Sequence, residues 1–159
     1  TEKKLIESNI NTYILDGDNV RLGLNKDLGF SQEERVENIR RIGEVSNLFV
    51  DAGIVVLASF ISPYRRNRED VKNIVGSDNF VEVYINTSLE ECERRDSKGL
   101  YKKARIGEID NFTGISASYE VPLSPDIEIN TEELSLNDAV AKIVSTISSK
   151  LNLEWINII

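Results

Sequence analysis

Residues 54 to 58 read Ile-Val-Val-Leu-Ala, an unbroken apolar run with no polar position to turn toward water. A half-exposed strand alternates apolar and polar residues. A strand that is apolar throughout is expected to be covered on both faces, as strands in parallel sheets are. Helical patterns flank the run. Upstream, Ser31 and Glu34 form a capping-box pair, Ile39, Ile42, Val45 and Phe49 follow at helical spacing, and Gly53 marks the stop. Downstream, Ser62 and Pro63 read as a helix start, with Pro63 suited to the first helical position. Tyr13–Leu15, Phe80–Ile85 and Ile127–Ile129 read as further strands. Between and around them lie Thr1–Ser8, which reads as the end of a helix with Asn9 as its stop, and a second capping box at Ser88 and Glu91. A basic helical stretch spans Lys98–Ile106, and an amphipathic helix spans Leu136–Leu151. Strands alternating with helices predict an α/β fold in three layers, a parallel sheet with helices on both faces. Asp110–Pro125, rich in Gly, Ser, Thr and Pro, reads as a loop. No repeat, low-complexity tract or linker interrupts the pattern, so residues 1–159 are expected to form a single domain. The tail, Asn152–Ile159 with Trp155, is expected to pack on this subunit or on a partner.

A formal charge of −8 argues against broad nucleic-acid binding, and an anionic substrate would need a local basic pocket. Cys92 is the only cysteine, which rules out an internal disulfide and fits a reducing, cytoplasmic setting. The absence of histidine removes Ser-His-Asp catalysis and the commonest zinc ligand. No apolar run approaches membrane-spanning length and nothing resembles a signal peptide, so no membrane partner is expected.

The densest chemistry lies in Leu15–Phe30, LDGDNVRLGLNKDLGF, just past the Tyr13–Leu15 strand. Open α/β sheets place ligands at the carboxyl ends of strands. Asp16 and Asp18 could hold Mg²⁺ through water or act as general base on a hydroxyl. A D-G-D triplet more commonly ends as a turn with an Asx cap. Arg21, Arg35 and Asn38 could form an anion and amide pocket, Arg35 and Asn38 sharing one helix face. The alternative is a solvated face with Arg35 paired to Glu34 or Glu37. Phe30 and Phe112 sit in polar, glycine-containing surroundings and could stack on a nucleobase or anchor their loops. Ser62 could meet a phosphate at a helix start or serve as the helix N-cap. Lys98, Lys102, Lys103 and Arg105 could close over a polyphosphate or form an ordinary solvated basic helix.

Taken in order, LDGDNVRLGLNKDLGF, RVENIRRIGEVSNLF, SFISPYRRNR, FVEVYINTSLEECERRD, KGLYKKARIGEIDNFTGI and YEVPLSPDIEI resemble the adenylyl-sulfate kinases (APS kinases) of the P-loop kinase group. The resemblance runs from Tyr13 to about Ile147. It implies a P-loop NTPase fold with a five-stranded parallel sheet, usually a homodimer. The implied reaction moves the γ-phosphate of ATP, with Mg²⁺, to the ribose 3′-hydroxyl of adenosine 5′-phosphosulfate (APS), giving 3′-phosphoadenosine 5′-phosphosulfate (PAPS). Fusion to or association with ATP sulfurylase is a further implied partner. By motif, Asp16 and Asp18 correspond to the acidic pair near Mg²⁺ and the accepting hydroxyl, with Asp16 the choice for general base. Arg21, Arg35 and Asn38 correspond to the residues holding phosphosulfate and adenosine, and Phe30 and Phe112 to the pair that sandwiches the adenine. Ser62 matches the family serine described as a phosphoserine intermediate. Direct transfer needs no covalent step, so a substrate-contact or capping role is expected of it. Arg95, Lys98 and Lys102 match the lid over the nucleotide, Lys98 also among the catalytic groups.

Three departures stand out. Leu22 replaces a frequent polar residue or histidine, and Ser97 replaces a frequent proline before KGLY, which bears on lid stiffness. The family also carries a first strand and a G-x-x-x-x-G-K-S/T loop ahead of the position of Thr1. No such motif lies in residues 1–159, so the domain is expected to be N-terminally incomplete as given. A rival expectation is a non-catalytic module that binds APS or PAPS without an ATP phosphate cradle. The sequence upstream of Thr1 separates the two.

Overall fold

The computed structural model describes residues 1–150; the tail expectation at Asn152–Ile159 and the last residue of the helix expected to reach Leu151 lie outside them. The chain alternates helix and strand: α1 (Glu2–Glu7), β1 (Thr12–Asp16), α2 (Gly17–Leu22), α3 (Gln32–Asp51), β2 (Val55–Ser59), α4 (Arg65–Val75), β3 (Val83–Asn86), α5 (Leu89–Arg95), α6 (Leu100–Arg105), β4 (Ile127–Asn130) and α7 (Leu136–Lys150). Every strand pairing is parallel, as the alternation predicts.

The sheet is not continuous. β1 pairs with β2 from Thr12–Val55 to Asp16–Ser59, and β3 pairs with β4 from Val83–Ile127 to Asn86–Asn130. No ladder joins the two pairs among the described residues. The expectation for the IVVLA run is overturned. Val55, Val56 and Leu57 are only half-buried and Ala58 is exposed, because cover comes from one side. Tyr13 and Ile14 on β1 are likewise 49% and 42% exposed.

Two local cores result. Leu5, Leu15, Ile39 and Ile42 are buried around the first pair, and Ile127, Ile129, Val144 and Ile147 around the second. Each such side chain contributes about 1.5–3 kcal/mol relative to exposure. Tyr13 also stacks on Phe49, ring centroids 4.8 Å apart.

The helix signals explain the frame. Ser31 caps α3 with both bonds of the capping box, its Oγ accepting from Glu34 N and Glu34 Oε2 accepting from Ser31 N. At the other end Ile54 N donates to Phe49 O and Gly53 N to Val50 O, a Schellman closure with Gly53 at φ +75°. Asn9, at φ +58°, ends α1 as the sequence predicts. α3 lies against α4 at Gly43, where an added Cβ would come within 3.1 Å of Val71 Cγ2 and 3.2 Å of Ile74 Cδ1.

Two start signals resolve differently. Ser88 Oγ caps Glu91 N, but the Glu91 carboxylate turns to Arg94 and Arg95, and Glu132 takes the Ser88 N–H instead. α4 starts at Arg65, so Pro63 is not its first residue and Ser62 is not its cap. Tyr64 occupies that position without a side-chain bond.

Candidate functional site

β1 delivers Asp16 to the sheet's carboxyl end. Asp16 Oδ1 accepts from the backbone N of Asp18 (2.9 Å) and Asn19 (3.4 Å), so it is the N-cap of α2. The triplet that reads as a turn is thus the start of a helix. Capping engages one oxygen of Asp16 and leaves Oδ2 to other partners. Asp18 Oδ2 accepts from Lys98 Nζ at 2.7 Å. That hydrogen bond, then the ammonium charge, holds the Asp18 carboxyl below its usual range, and the same contact raises Lys98. Both side chains are well exposed. Among the described residues no cluster of three metal-ligating side chains exists.

The segment from Leu22 to Phe30 folds back over α3 and is fixed by arginines donating to its carbonyls. Arg21 gives one nitrogen to Leu28 O (2.9 Å) and Gly29 O (3.0 Å). Arg35 donates Nε to Phe30 O (3.0 Å) and reaches across to Asn111 O (2.6 Å) and Thr113 Oγ1 (3.2 Å). Arg41 donates to Leu24 O and to both oxygens of Asp27. Gly29 has no room for a side chain, since a Cβ would fall 2.7 Å from Glu34 Oε2. The backbone N–H groups of Gly29 and Ser31 hold the Glu34 carboxyl below its usual range. Burial lowers the Arg35 guanidinium, and nearby Arg21 adds to that. Arg35 makes no pair with Glu34 or Glu37. Glu37 is occupied by Arg40 and Arg41, whose hydrogen bonds bring its carboxyl down to about 2.

Phe30 is 57% exposed and carries both guanidinium groups on its ring, Arg21 at 4.3 Å and Arg35 at 5.6 Å from the centroid. Beside it opens a cavity of about 250 Å³ lined by Phe30, Gln32, Arg35, Tyr64, Asn111 and Ser116–Ser118. Gln32, Tyr64 and the Ser116–Ser118 turn carried no signal in the sequence beyond a polar loop. Arg35, with its reach to Asn111 and Thr113, is what gathers them.

Asn38 is buried, with its Oδ1 accepting from Asn25 Nδ2 at 3.0 Å. Asn25 is fully buried in the LNKDLGF segment, and its own Oδ1 has no partner among the described residues. An orphaned buried acceptor costs about 1–3 kcal/mol. Asn25 was missed because a polar residue in a turn-rich stretch reads as a turn.

Ser62 sits at φ +42°, an uncommon backbone conformation for a non-glycine residue. Its carbonyl accepts from Arg68 (2.6 Å), which also donates to Glu120 O and forms a largely buried ion pair with Glu82 at 2.7 Å.

The basic segment is spread out. Arg95 donates to Glu91 and to Thr131 Oγ1 and O, tying α5 to the end of β4. Asp96 accepts from the backbone N of Tyr101 and Lys102; burial raises its carboxyl, but these bonds outweigh it and the net direction is down. Lys102 is exposed, Arg105 pairs with Glu93, and Lys98 alone reaches the acidic pair. Phe112 meets Tyr101 edge-on at 4.9 Å and does not line the cavity beside Phe30. Burial, first, and the neighbouring Cys92 push the Tyr101 phenol up to about 12.

Parallel strands alternating with helices, acidic groups at a strand's carboxyl end and an arginine-flanked aromatic ring beside a polar cavity fit an α/β enzyme that binds an anionic, ring-bearing ligand. The adenylylsulphate kinase family model matches residues 1–130. An adenylyl-sulfate kinase of Oceanobacillus iheyensis is 57% identical over 149 residues, 94% of this chain and 75% of that protein. One of Staphylococcus haemolyticus is 58% identical over the same shares. The APS kinase of Mycobacterium tuberculosis, solved in complex with AMPPNP and APS, has a TM-score of 0.88 at 43% identity, covering 92% of this chain and 86% of that one. The chain belongs to the adenylylsulphate kinase family. Among the described residues, no helix is long and apolar enough to cross a membrane.

Proposed function

We propose that this protein transfers the γ-phosphoryl group of ATP to the ribose 3′-hydroxyl of APS, giving ADP and PAPS. The observation that carries the reading is the convergence of Arg21 and Arg35 on the exposed Phe30 ring beside a polar cavity. An aromatic face suits a purine, and two fixed guanidinium groups suit the anion attached to it. Phe30 takes the adenine, Arg21, Arg35 and Asn38 the phosphosulfate side, and Phe112 closes from the loop. Ser62 contacts substrate through its hydroxyl and carries no phosphoryl group, because in-line transfer needs no covalent carrier.

In the reaction the 3′-oxygen forms a bond to the γ-phosphorus as the bond to the β–γ bridging oxygen breaks. The leaving electron pair stays on ADP, and Asp16 Oδ2 accepts the hydroxyl proton. Half-buried Asp16 and exposed Asp18 fit Mg²⁺ held largely by water and phosphate oxygens, the usual manner for that ion. When bound there it supplies neutralisation of phosphate charge. Lys98, released from Asp18, together with Lys102 and Arg95, stabilises the donor side. The reading also takes residues 1–159 as part of one kinase domain that assembles as a homodimer; a hexameric APS kinase of Thiobacillus denitrificans, 27% identical, indicates that assembly occurs among such enzymes.

The test is incubation of the full-length protein with ATP, Mg²⁺ and APS. PAPS and ADP should appear in equal amounts. ATP hydrolysis without PAPS, or phosphorylation of adenosine 5′-monophosphate in preference to APS, overturns the proposal.

A further inference from the structure

We infer that Arg68, which does not itself line the cavity beside Phe30, is a positioning residue that sets the distance between two of that cavity's walls. The inference rests on the APS reading above. Each nitrogen of the Arg68 guanidinium group holds a different piece of the chain. Nε donates to the Glu82 carboxylate at 2.7 Å, just ahead of β3. Nη1 donates to Ser62 O at 2.6 Å, past the end of β2. Nη2 donates to Glu120 O at 2.7 Å, on the loop that leads to β4. Tyr64 follows closely on Ser62, and Ser116–Ser118 come shortly before Glu120. Those two stretches are the walls in question.

The same two stretches are zipped together alongside the fork. Glu120 N donates to Pro63 O at 2.8 Å, Arg65 N to a Glu120 carboxylate oxygen at 2.7 Å, and Arg65 Nε to Val121 O at 2.7 Å. Arg68 also lies over the ring of Tyr119, 5.9 Å from its centroid. The ion pair with Glu82 needs only one positive charge, which a lysine could supply. A planar fork of donors is needed where several acceptors must keep fixed places. Two of the acceptors here are neutral carbonyls, one from each stretch that carries a cavity wall. Ser62 strengthens the point. At φ +42° it holds a conformation uncommon for a serine, which persists only where the surroundings enforce it. Arg68, its side chain 11% exposed, is the group that grips the Ser62 carbonyl. The width of the cavity is thus set before APS arrives, so binding has less ordering to supply.

The experiment compares two substitutions in the full-length enzyme, read by equilibrium APS binding, by the KM values for APS and ATP, and by Tm. Arg68→Lys keeps the charge and loses the fork. It should weaken APS binding roughly tenfold, the worth of one charge-assisted hydrogen bond, and leave the KM for ATP unchanged. Glu82→Gln keeps the fork and removes the countercharge of a largely buried guanidinium group. It should lower Tm at least as far as Arg68→Lys does and leave APS binding unchanged. APS affinity that falls in step with Tm in both variants, equal effects on APS and ATP, or unchanged APS affinity in Arg68→Lys would show a merely structural role and overturn the inference. Should Arg68→Lys not fold, Arg68→Gln, which cannot reach all three acceptors, is read by the same criteria. Failure of the unsubstituted protein to bind APS would strike the functional reading itself, whereas normal binding with an inert Arg68 strikes only this inference.

Discussion

The arginines around Phe30, Arg21 and Arg35 with Arg41 behind them, and the basic residues of 94–105 differ in what they hold. Arg21 and Arg35 donate chiefly to backbone carbonyls, Leu28, Gly29, Phe30 and Asn111, and Arg41 adds Leu24 O beside its pairs with Asp27 and Glu37. The basic residues of 94–105 meet mainly carboxylates, Glu91, Glu93 and Asp18, from side chains that are themselves exposed. A carbonyl cannot change charge or rotamer, so bonds to it fix a loop in one shape and leave the pocket ready before substrate arrives. Exposed ion pairs contribute little and are screened by salt. The same residue types thus make a rigid template on one side of the site and an exchangeable tether on the other.

The largest effect should come from the template. Arg35→Ala removes three bonds at once, and APS affinity should fall about 10- to 100-fold, as expected for losing a charged donor, with the circular dichroism spectrum preserved. Unchanged APS affinity by calorimetry would refute the assignment. Ser31→Ala removes the α3 cap and should cost about 1 kcal/mol in urea denaturation, with APS KM rising because the cap anchors the residue after Phe30.

Acid should probe the same region next. Glu37 has a folded value of about 2 against an ordinary 4.5, so its contribution is present above pH 4.5 and is lost as pH falls toward 2. Wild-type Tm should drop through that window, and Glu37→Gln should show a shallower slope from an already lower plateau. Identical slopes would mean the Arg40–Glu37–Arg41 cluster does not hold the loop. The smallest effect on stability belongs to the tether. Lys98→Gln should leave Tm unchanged while hydrogen exchange quickens at α6 amides and kcat declines. A large fall in Tm would erase the contrast between the two regions.

Much of this was legible in the sequence where a signal is local. The Ser31–Glu34 box, the Gly53 closure and the Asn9 stop depend on a few adjacent residues, and each forms as read. Strand positions followed from apolar runs, but their burial did not. Whether Val55–Ala58 is covered on both faces depends on which helices pack above and below it, which no run of residues encodes. Ser62 misled because a serine-proline pair signals a helix start, whereas Arg68 draws the Ser62 carbonyl into a left-handed turn and delays the helix to Arg65. Asp16, Asp18 and Lys98 were each readable as candidates. Their meeting depends on a contact spanning 80 residues, which spacing cannot supply.

The close approach at Gly43 has a mechanical consequence. With no side chain between them, α3 and α4 have little freedom to slide, and the pair behaves as a single jamb. Gln32 and Arg35 stand on one post of it and Tyr64 on the other. The opposite wall, Asn111 and Ser116–Ser118, hangs on a loop that Arg35 latches through Asn111 O and Thr113. Any opening of the cavity must therefore swing on the loop, and Arg35, part of the cavity wall, is also the bolt on the door.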